Sequence, residues 1–365
     1  MIDYSDIDKM SKAELDEFIS FASTQKHKAD KKQHAIKILL NSLYGALGTN
    51  HFRLYNVLCA EAITKTGQTV TAESFELFNT YLDKVTKIKK DRVGLSDTDS
   101  AGIDMTDLVN IVIGKDKSFD EKITLLTKLA DTHFNQLLEN RFNDYAKLLN
   151  SVSNKINMKR EKIASAILVA KKNYVVNVYD NEGVKYATPK MSVTGLESVK
   201  ASTPPFFRKK LEEAYSICFQ SKEENIHKFI EQVHSELSEL SLDELAGTTT
   251  VNGLSKYSDG NGGFISGTPG HVRGAFAYNK LVQGSDIYEP IKNGNKVKIL
   301  QLKEPNPVGS KNICYTNKFP SDLIPLSYID REKDYQKFFI KPIKRVLDVL
   351  EWNPEYVPTL DDMFG

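Results

Sequence analysis

Apolar and polar positions alternate with two different periods along the chain, and each period predicts a different element. Residues 11–47 contain amphipathic helical patterns, and over residues 57–85 the apolar positions recur every three or four residues, the spacing of a helix. Ser11 is the predicted N-cap of the first helix, with Glu14 completing a capping box. Gly48 and the two residues after it should end the second helix. The three predicted helices cover residues 11–23, 26–47 and 57–85.

Strand spacing appears in two places. The segment KDRVGLSDTDSAGIDM (90–105) has short apolar runs on either side of a polar turn, which predicts a β-hairpin with acidic residues at or near its tip. Residues 163–193 predict a meander of about three strands, with a turn at Asn181-Glu182-Gly183. Residues 118–150, between these two regions, return to helical spacing.

The C-terminal part of the chain mixes both kinds of element. Residues 246–270 are rich in Gly, Ser and Thr and predict a long loop. The segment NKVKILQLKE (295–304) predicts one more strand. The pattern as a whole predicts an α+β fold. The remaining predicted helices cover residues 206–221, 223–241 and 332–351.

Composition narrows the class of protein. A chain of 365 residues is long enough for two or three domains, and 40% hydrophobic with 27% charged residues is typical of a globular protein. Its three cysteines have neither zinc-site spacing nor a disulfide framework. The longest apolar run, AILVA (166–170), is far too short for a bilayer, and the polar, acidic N-terminus is unlike a secretory signal. We expect a soluble intracellular protein with no membrane partner.

The formal net charge of +1 neither favours nor excludes nucleic acid as a partner. An interface with nucleic acid needs a local concentration of positive charge, and the chain has two basic runs. A lysine-rich helix face is equally consistent with simple solvation. The two runs are Lys26, Lys28, Lys31, Lys32 and Lys37, and Lys155, Lys159, Arg160, Lys162, Lys171 and Lys172.

The segment KILLNSLYGALG (37–48) carries a polar stripe within a predicted helix. Lys37, Asn41 and Tyr44 are spaced i, i+4 and i+7 and therefore share one face. Such a stripe is suited to binding a polyphosphate and the base beside it, and Gly45 would let a base pair approach closely. Taken alone, an amphipathic helix with a solvated polar stripe explains the pattern better. The apolar positions on the other sides, where they can pack, are Leu39, Leu40 and Leu43.

The segment SDTDS (96–100) places two carboxylates, Asp97 and Asp99, on the same side of the predicted hairpin. Such carboxylates can hold Mg²⁺ against substrate phosphates, and two ions together stabilise both oxygens of a phosphoryl transfer. Aspartates are also common in turns for their own hydrogen bonding. A two-metal site usually needs a third carboxylate from elsewhere in the structure.

The segment AKKNYVV (170–176) brings two lysines to the start of a predicted strand. Lys171 and Lys172 precede Tyr174 there, and lysines so placed can neutralise the phosphates of a nucleic-acid backbone. An ordinary strand entrance with solvated lysines is the simpler explanation of this segment by itself.

The order of these three motifs along the chain resembles family B DNA polymerases. The segment 37–45 matches the family's motif B, the segment 97–100 its motif C, and the segment 171–174 its lysine-tyrosine motif. The resemblance covers nearly all of residues 26–365. Further similarity lies in TGLESVKASTP (194–204), which looks like the entry into the thumb, and in GHVRGAFAYNK (270–280), LKEPNPVG (302–309) and FFIKPI (338–343), which look like the thumb of T-even bacteriophage polymerases.

The resemblance implies a palm built on an antiparallel sheet, a helical remnant of the fingers and a mostly helical thumb. It implies that Lys37 and Asn41 meet the triphosphate of an incoming deoxynucleotide. Tyr44 and Gly45 would meet the nascent base pair. The domain borders implied are 1–48 for the fingers, 49–194 for the palm, 195–352 for the thumb and 353–365 for a tail.

The resemblance also implies cofactors and partners. Two Mg²⁺ ions would be shared with a separate N-terminal chain, with Asp99 as the direct metal ligand of motif C and Asp97 as a weaker or outer participant. The residues implied to contact the primer–template are Lys171, Lys172 and Tyr174. The residues implied to bind a sliding clamp are Leu360, Met363 and Phe364 in the tail.

Two departures from the family pattern matter. Leu95 and Ser96 precede motif C where the family commonly has Tyr-Gly. Motif A (an Asp followed by S-L-Y-P-S), the 3′→5′ exonuclease motifs and the first fingers helix are missing from the chain. We therefore expect one subunit of a split polymerase, active in the cytoplasm of an infected bacterium once a separate N-terminal chain completes the metal site. A non-catalytic module that holds DNA and the clamp is the alternative, and a truncated single-chain enzyme is a third possibility.

Overall fold

The computed structural model describes residues 10–97, 100–220 and 222–355. Helices and antiparallel strands are both present along the chain, so the predicted α+β fold is confirmed. The predicted borders of fingers, palm, thumb and tail remain a prediction. The chain divides into two compact units, a first one of residues 1–104 and 141–154 and a second one of residues 105–140 and 155–365.

The first unit begins with one long helix, α1 (Lys12–Leu47). The predicted capping box is confirmed, because Ser11 accepts from the backbone N–H of Glu14 and the Glu14 carboxylate accepts from the Ser11 N–H at 2.8 Å. The predicted break near Thr24 is wrong. The Thr24 hydroxyl donates to the carbonyl four residues earlier at 2.9 Å, so this polar side chain is satisfied inside the helix. The helix ends at Gly48, as predicted.

The second helix of this unit, α2 (Val57–Thr86), confirms the prediction to within a residue. The Asn56 side chain caps its start by accepting from the Cys59 N–H at 3.0 Å. It ends at Lys87, which has the left-handed conformation common after helix C-termini. One side of α2 is buried, through Val70, Thr71, Ser74, Phe78, Leu82 and Thr86.

The predicted hairpin is confirmed as β1 (Val93–Asp97) paired antiparallel with β2 (Ser100–Ile103). The two residues of its turn lie outside the described residues. Leu95 is paired with Gly102, and a Cβ on Gly102 would come 2.8 Å from the Cβ of Leu95. Because packed carbon atoms do not approach so closely, only glycine leaves room for Leu95 at this position.

The predicted helix at 118–150 is confirmed as a helical run with a π-helical turn inside it. Ser118 caps its start in a second capping box with Glu121. A separate π-helical segment, Leu108–Ile113, precedes this run. The parts of the run are α3 (Phe119–Leu129), the π turn Ala130–Phe134 and α4 (Asn135–Leu148).

The predicted three-stranded meander is confirmed in the second unit, with strand order β3-β4-β5 and antiparallel pairing throughout. Its predicted turn lies at Glu182 and Gly183, with φ values of 51° and 89°. Two consecutive left-handed residues match the twist of the flanking strands. The strands are β3 (Lys162–Ala170), β4 (Asn173–Asn181) and β5 (Val184–Thr194).

Helices α5 and α6 confirm the two helices predicted at 206–241, with the second ending earlier than expected. A 3₁₀ turn, Glu236–Glu239, replaces its last residues. The predicted long loop at 246–270 is wrong in part, because it contains the strand β6 (Gly247–Thr250) and the short helix α8 (Leu254–Tyr257). The helices are α5 (Pro205–Gln220), α6 (Glu223–Ser235), α7 (Leu242–Leu245), α8 (Leu254–Tyr257) and α9 (Gly270–Leu281).

The second antiparallel sheet of this unit has the order β6-β7-β8. The strand predicted at 295–304 is confirmed as β7, whereas β8 and α9 were not predicted. Strand β6 has the sequence GTTT, whose threonines favour a strand once a neighbouring strand is present. The strands are β6 (Gly247–Thr250), β7 (Lys296–Gln301) and β8 (Asn312–Tyr315).

The last predicted helix is confirmed as α10 (Arg331–Tyr335), the π turn Gln336–Ile340 and α11 (Lys341–Leu347). These elements join the helices and the second sheet in one hydrophobic core. Phe207, Tyr278 and Phe339 are all buried in it. Within the described ranges, no helix combines the length and the apolar character needed to cross a membrane.

Candidate active site

The motif B stripe lies on the C-terminal part of α1. Lys37, Asn41 and Tyr44 are all exposed, and Tyr44 retains 42% of its accessible surface. Within residues 10–97, 100–220 and 222–355, these three side chains make no hydrogen bond or ion pair. They are therefore free to bind a ligand that the chain itself does not supply.

The leucines on the other sides of α1 were expected to pack, and within the described residues they do not. Leu39, Leu40 and Leu43 are 72%, 65% and 56% exposed. Helix α1 has no buried residue along its 36 positions. Clusters of exposed apolar positions are typical of surfaces that bind another polypeptide segment or a ligand.

Gly45 has no packing role inside the described chain. A Cβ added there would meet nothing within 4 Å. Glycine in a helix interior is less favourable than alanine by roughly 1 kcal/mol. Packing within the described residues therefore does not require this glycine, and its expected place beside a base pair stays a prediction.

Motif C occupies the tip of the β1–β2 hairpin. Asp97 is the last residue of β1, and its backbone lies opposite Ser100. Thr98 and Asp99 lie outside the described residues, as does the side chain of Asp97. The structure thus gives the position of the hairpin and leaves the roles of both aspartates as predictions.

The donor chemistry of Asp97 and Asp99 fits Mg²⁺, which binds carboxylate oxygens and keeps part of its water shell. Two carboxylates are nevertheless fewer than a two-metal site usually needs. Elsewhere in the described part of the chain, no three His, Cys, Asp or Glu side chains are grouped so that they could hold a metal ion.

Helix α2 is the common support of motifs B and C. It contacts α1 on one side, and it contacts both β1 and β2. The two motifs, about 50 residues apart in sequence, are thus attached to the same helix within one compact unit.

The lysine-tyrosine motif belongs to the second unit. Lys171 and Lys172 form the exposed connection between β3 and β4, and Tyr174 follows on β4, where it pairs with Leu168. The predicted strand entrance is confirmed. The backbone of Lys172 has the left-handed conformation, with a φ of 59°, so the chain turns sharply between the two strands.

Gly195 keeps this lysine turn in place, and sequence reasoning missed its role. A Cβ on Gly195 would come 2.1 Å from the carbonyl oxygen of Lys172 and 2.6 Å from Oδ1 of Asn173. Its φ of 70° also favours glycine. The only signal in the sequence is its place in TGLESVK, where the resemblance marks the entry into the thumb.

One member of the second basic run is a structural cation. Arg160 donates from Nε and Nη2 to the Asp131 carboxylate at 2.9 and 3.1 Å, and from Nη1 to the buried Asp180. The hydrogen bonds to Asp131 contribute most to raising the pKa of Arg160. Arg160 therefore holds the π turn Ala130–Phe134 and the meander together and is not available to a phosphate.

The predicted clamp-binding residues Leu360, Met363 and Phe364 lie outside the described residues. The last part of the chain that the structure describes is tied down at two points. His227 Nε2 lies 2.7 Å from the carbonyl oxygen of Asn353, and the Asn353 N–H donates to Glu223 at 2.7 Å.

Comparison with known proteins gives a consistent result. The model of DNA polymerase family B matches residues 8–255. The chain is 31% identical to the DNA-directed DNA polymerase of Enterobacteria phage T4, over 92% of this chain and 39% of that protein. It is 31% identical to the DNA-directed DNA polymerase of Escherichia phage RB69, over 99% of this chain and 42% of that protein. The chain thus spans about two-fifths of the length of these relatives.

Proposed function

The chain belongs to DNA polymerase family B, and from this premise we propose that it forms the C-terminal part of a DNA-directed DNA polymerase. The observation that carries the proposal is the attachment of the motif B helix and the motif C hairpin to one helix, α2. A nucleotide-binding stripe and a pair of carboxylates have to be held together for nucleotidyl transfer. A module that only holds DNA needs neither.

In this proposal the exposed stripe of α1 binds the incoming deoxynucleoside triphosphate. Lys37 neutralises phosphate charge, and the Asn41 amide donates to phosphate oxygens. Tyr44 packs against the nascent base pair, which approaches closely at Gly45. The lack of any partner for these side chains within the described residues supports the assignment.

The motif C carboxylates hold the metal in this proposal, with Asp99 as the direct ligand and Asp97 as the weaker one. Two bound Mg²⁺ ions would stabilise the attacking 3′ oxygen and the departing pyrophosphate oxygen. The hairpin that carries motif C is paired up to Asp97.

The second unit would bind the DNA through the β3–β4 connection. Lys171 and Lys172 are exposed at the β3–β4 connection, and we assign them with Tyr174 to the backbone of the primer–template. The palm, in the predicted borders, covers residues 49–194, and the thumb covers residues 195–352.

The tail residues Leu360, Met363 and Phe364 would tether the enzyme to a sliding clamp by adding a second, weak contact.

A separate N-terminal chain would complete the site. It would carry motif A with the remaining metal ligand, the 3′→5′ exonuclease and the first fingers helix. The exposed apolar positions of α1, such as Leu39 and Leu40, support this proposal because they offer a surface that the described residues leave uncovered. An obligate interface of this kind is expected to bury more than about 2,000 Å². The assembled enzyme would act in the cytoplasm of an infected bacterium.

The test is primer extension in the presence of Mg²⁺. The purified chain should be inactive alone and active when mixed with the N-terminal chain that carries motif A. Asp99→Asn should abolish extension by the mixture, whereas Asp348→Asn, at an exposed position of the second unit, should not change it.

Two outcomes would contradict the proposal. Extension by the chain alone would rule out the split arrangement. DNA binding without extension, indifferent to Asp99 and to Lys37, would favour the alternative of a module that holds DNA and the clamp without chemistry.

A further inference from the structure

Arg92 lies at the base of the motif C hairpin, one residue before β1 begins, and only 2% of its surface is exposed. Its guanidinium Nη1 donates to the Asp83 carboxylate and, at 3.1 Å, to the carbonyl oxygen of Lys90. Its Nη2 donates to the Thr86 hydroxyl at 3.0 Å and to the carbonyl oxygen of Ile88 at 2.6 Å. One side chain thus joins the end of α2 to the whole connection that leads into the hairpin.

The backbone of Arg92 extends the same network. Its N–H donates to Oδ1 of Asn79 on α2 at 2.9 Å, and its carbonyl oxygen accepts from the N–H of Asp104 at 2.8 Å. The Asn79 amide also donates to Asp91 at 2.9 Å, and Asp91 accepts from the Val93 N–H at 3.0 Å. Both ends of the hairpin are therefore held by residues next to, or at, Arg92.

The anchor points on α2 share one face of the helix. Asn79, Asp83 and Thr86 are spaced i, i+4 and i+7, so they form a rigid row against which the hairpin base is fixed. A second tie crosses the base, because Lys90 Nζ lies 3.1 Å from the carboxylate of Asp104. An isolated two-stranded hairpin is marginally stable in water, so the direction of this one depends on how its base is held.

We infer that Arg92 is a positioning residue for the motif C carboxylates, acting through the backbone of β1 on Asp97 and Asp99. The inference rests on the proposed function of those two aspartates. The planar guanidinium reaches four acceptors at once, which the single ammonium of lysine cannot do. Asp83 stays ionised beside it, because the hydrogen bond from Arg92 lowers the pKa of Asp83.

The first test is steady-state primer extension by the assembled enzyme carrying Arg92→Lys. The reacting groups at the hairpin should be misplaced while the nucleotide-binding stripe on α1 is untouched. A displacement of about 1 Å at reacting groups lowers the rate by roughly 100-fold. We therefore expect kcat to fall by about that factor, with the KM for deoxynucleotide unchanged, and the Mg²⁺ concentration for half-maximal activity to rise.

Arg141→Met is the matched control. Arg141 also forms an ion pair with α2, through Glu73, but it is half-exposed and lies away from the hairpin base. This variant should keep the wild-type kcat, KM and Mg²⁺ dependence. Equal loss of kcat in both variants would overturn the inference, because it would show that any weakening of α2 has the same effect.

The second test is hydrogen exchange on the full chain alone, which does not depend on activity. In Arg92→Lys the amides of β1 and β2 should exchange faster, whereas those of β3–β5 should keep wild-type protection. Asp83→Asn, which keeps the shape of the acceptor, should give the same pattern if Arg92→Lys does not fold. Unchanged exchange at the hairpin in both variants would overturn the inference.

The two readouts separate this inference from the proposed function. If wild-type chain with its partner fails to extend primers, the proposed function is wrong, and the exchange data still report whether Arg92 holds the hairpin. If extension occurs and the hairpin loosens in Arg92→Lys without a fall in kcat, the positioning role is wrong and the proposed function stands.

Discussion

Helices α1 and α5 differ in the burial of their apolar side chains. Helix α1 has 36 residues and buries none of them. Helix α5 has 16 residues and is packed into the core of the second unit. The buried residues of α5 are Phe207, Lys210, Leu211, Ala214, Tyr215 and Cys218.

The difference concerns where each helix finds the partner for its apolar face. Burying a leucine or phenylalanine stabilises a protein by about 1.5 to 3 kcal/mol. Helix α5 obtains this stabilisation from α6, α7 and α11 of the same chain. The apolar positions of α1 obtain none within the described residues, so the stability of this chain alone does not explain them. In the proposed function, the N-terminal chain would cover them.

The largest effect should come from a core substitution in α5. Phe207 is fully buried and packs edge-on against Phe206 and stacked on Phe338. Phe207→Ala leaves a cavity and should lower the free energy of unfolding by about 3 to 5 kcal/mol. Urea denaturation of the chain measures this. A loss below about 1 kcal/mol would mean that the second unit is not the tightly packed region described above.

The second-largest effect on the free energy of unfolding should come from a buried carboxyl group, and this effect depends on pH. Asp334 is fully buried on α10, and burial raises its pKa to about 7. The folded state then binds a proton more tightly than the unfolded state does. Stability from this group is therefore present at low pH and is lost as the pH rises towards 7.

Asp334→Asn should remove that pH dependence. Between pH 5 and pH 8 the wild-type chain should lose about 2 to 3 kcal/mol relative to the variant, measured by urea denaturation at both values. The exposed Asp348→Asn should retain the wild-type dependence. Parallel curves for wild type and Asp334→Asn would show that the side chain is hydrated and that the core has an opening there.

A smaller loss is expected where the first unit is itself packed. Gly102→Ala places a methyl group against Leu95, so the strands must separate slightly, at a cost of about 1 kcal/mol. Leu95→Gly combined with Gly102→Ala should cost less than the sum of the two single changes, because it removes the Cβ that lies 2.8 Å from the new methyl group. Additive losses in thermal unfolding would contradict the close contact.

The smallest effect on stability should come from α1 itself. Leu40 is 65% exposed, and Leu40→Ala should change the free energy of unfolding of the chain by less than about 0.5 kcal/mol. The variant chain should nevertheless bind the proposed N-terminal chain more weakly than the wild type does, which titration calorimetry would measure. An affinity equal to that of the wild type would show that Leu40 is not part of the proposed interface. The contrast drawn with α5 would then be wrong.

Local chemistry predicted much of the fold. The capping box at Ser11, the stop at Gly48 and the turn at Glu182–Gly183 each depend on neighbours in sequence. The hairpin and the meander followed from alternation over short runs. Strand β8 and helix α9 were missed because they lie far apart in sequence and pack against each other, and β8 also pairs with β7.

The site divides in the same way. The sequence alone identified the polymerase motifs, because a nucleotide stripe on one helix face and two aspartates on a hairpin are patterns of nearby residues. Their roles remain predictions. Only the tertiary structure showed that Arg160 is hydrogen-bonded to Asp131 and Asp180. It also showed that Arg92 joins the hairpin to α2 and that the leucines of α1 are exposed within the described residues. Those outcomes depend on which residues far apart along the chain meet in space, and no local pattern encodes that.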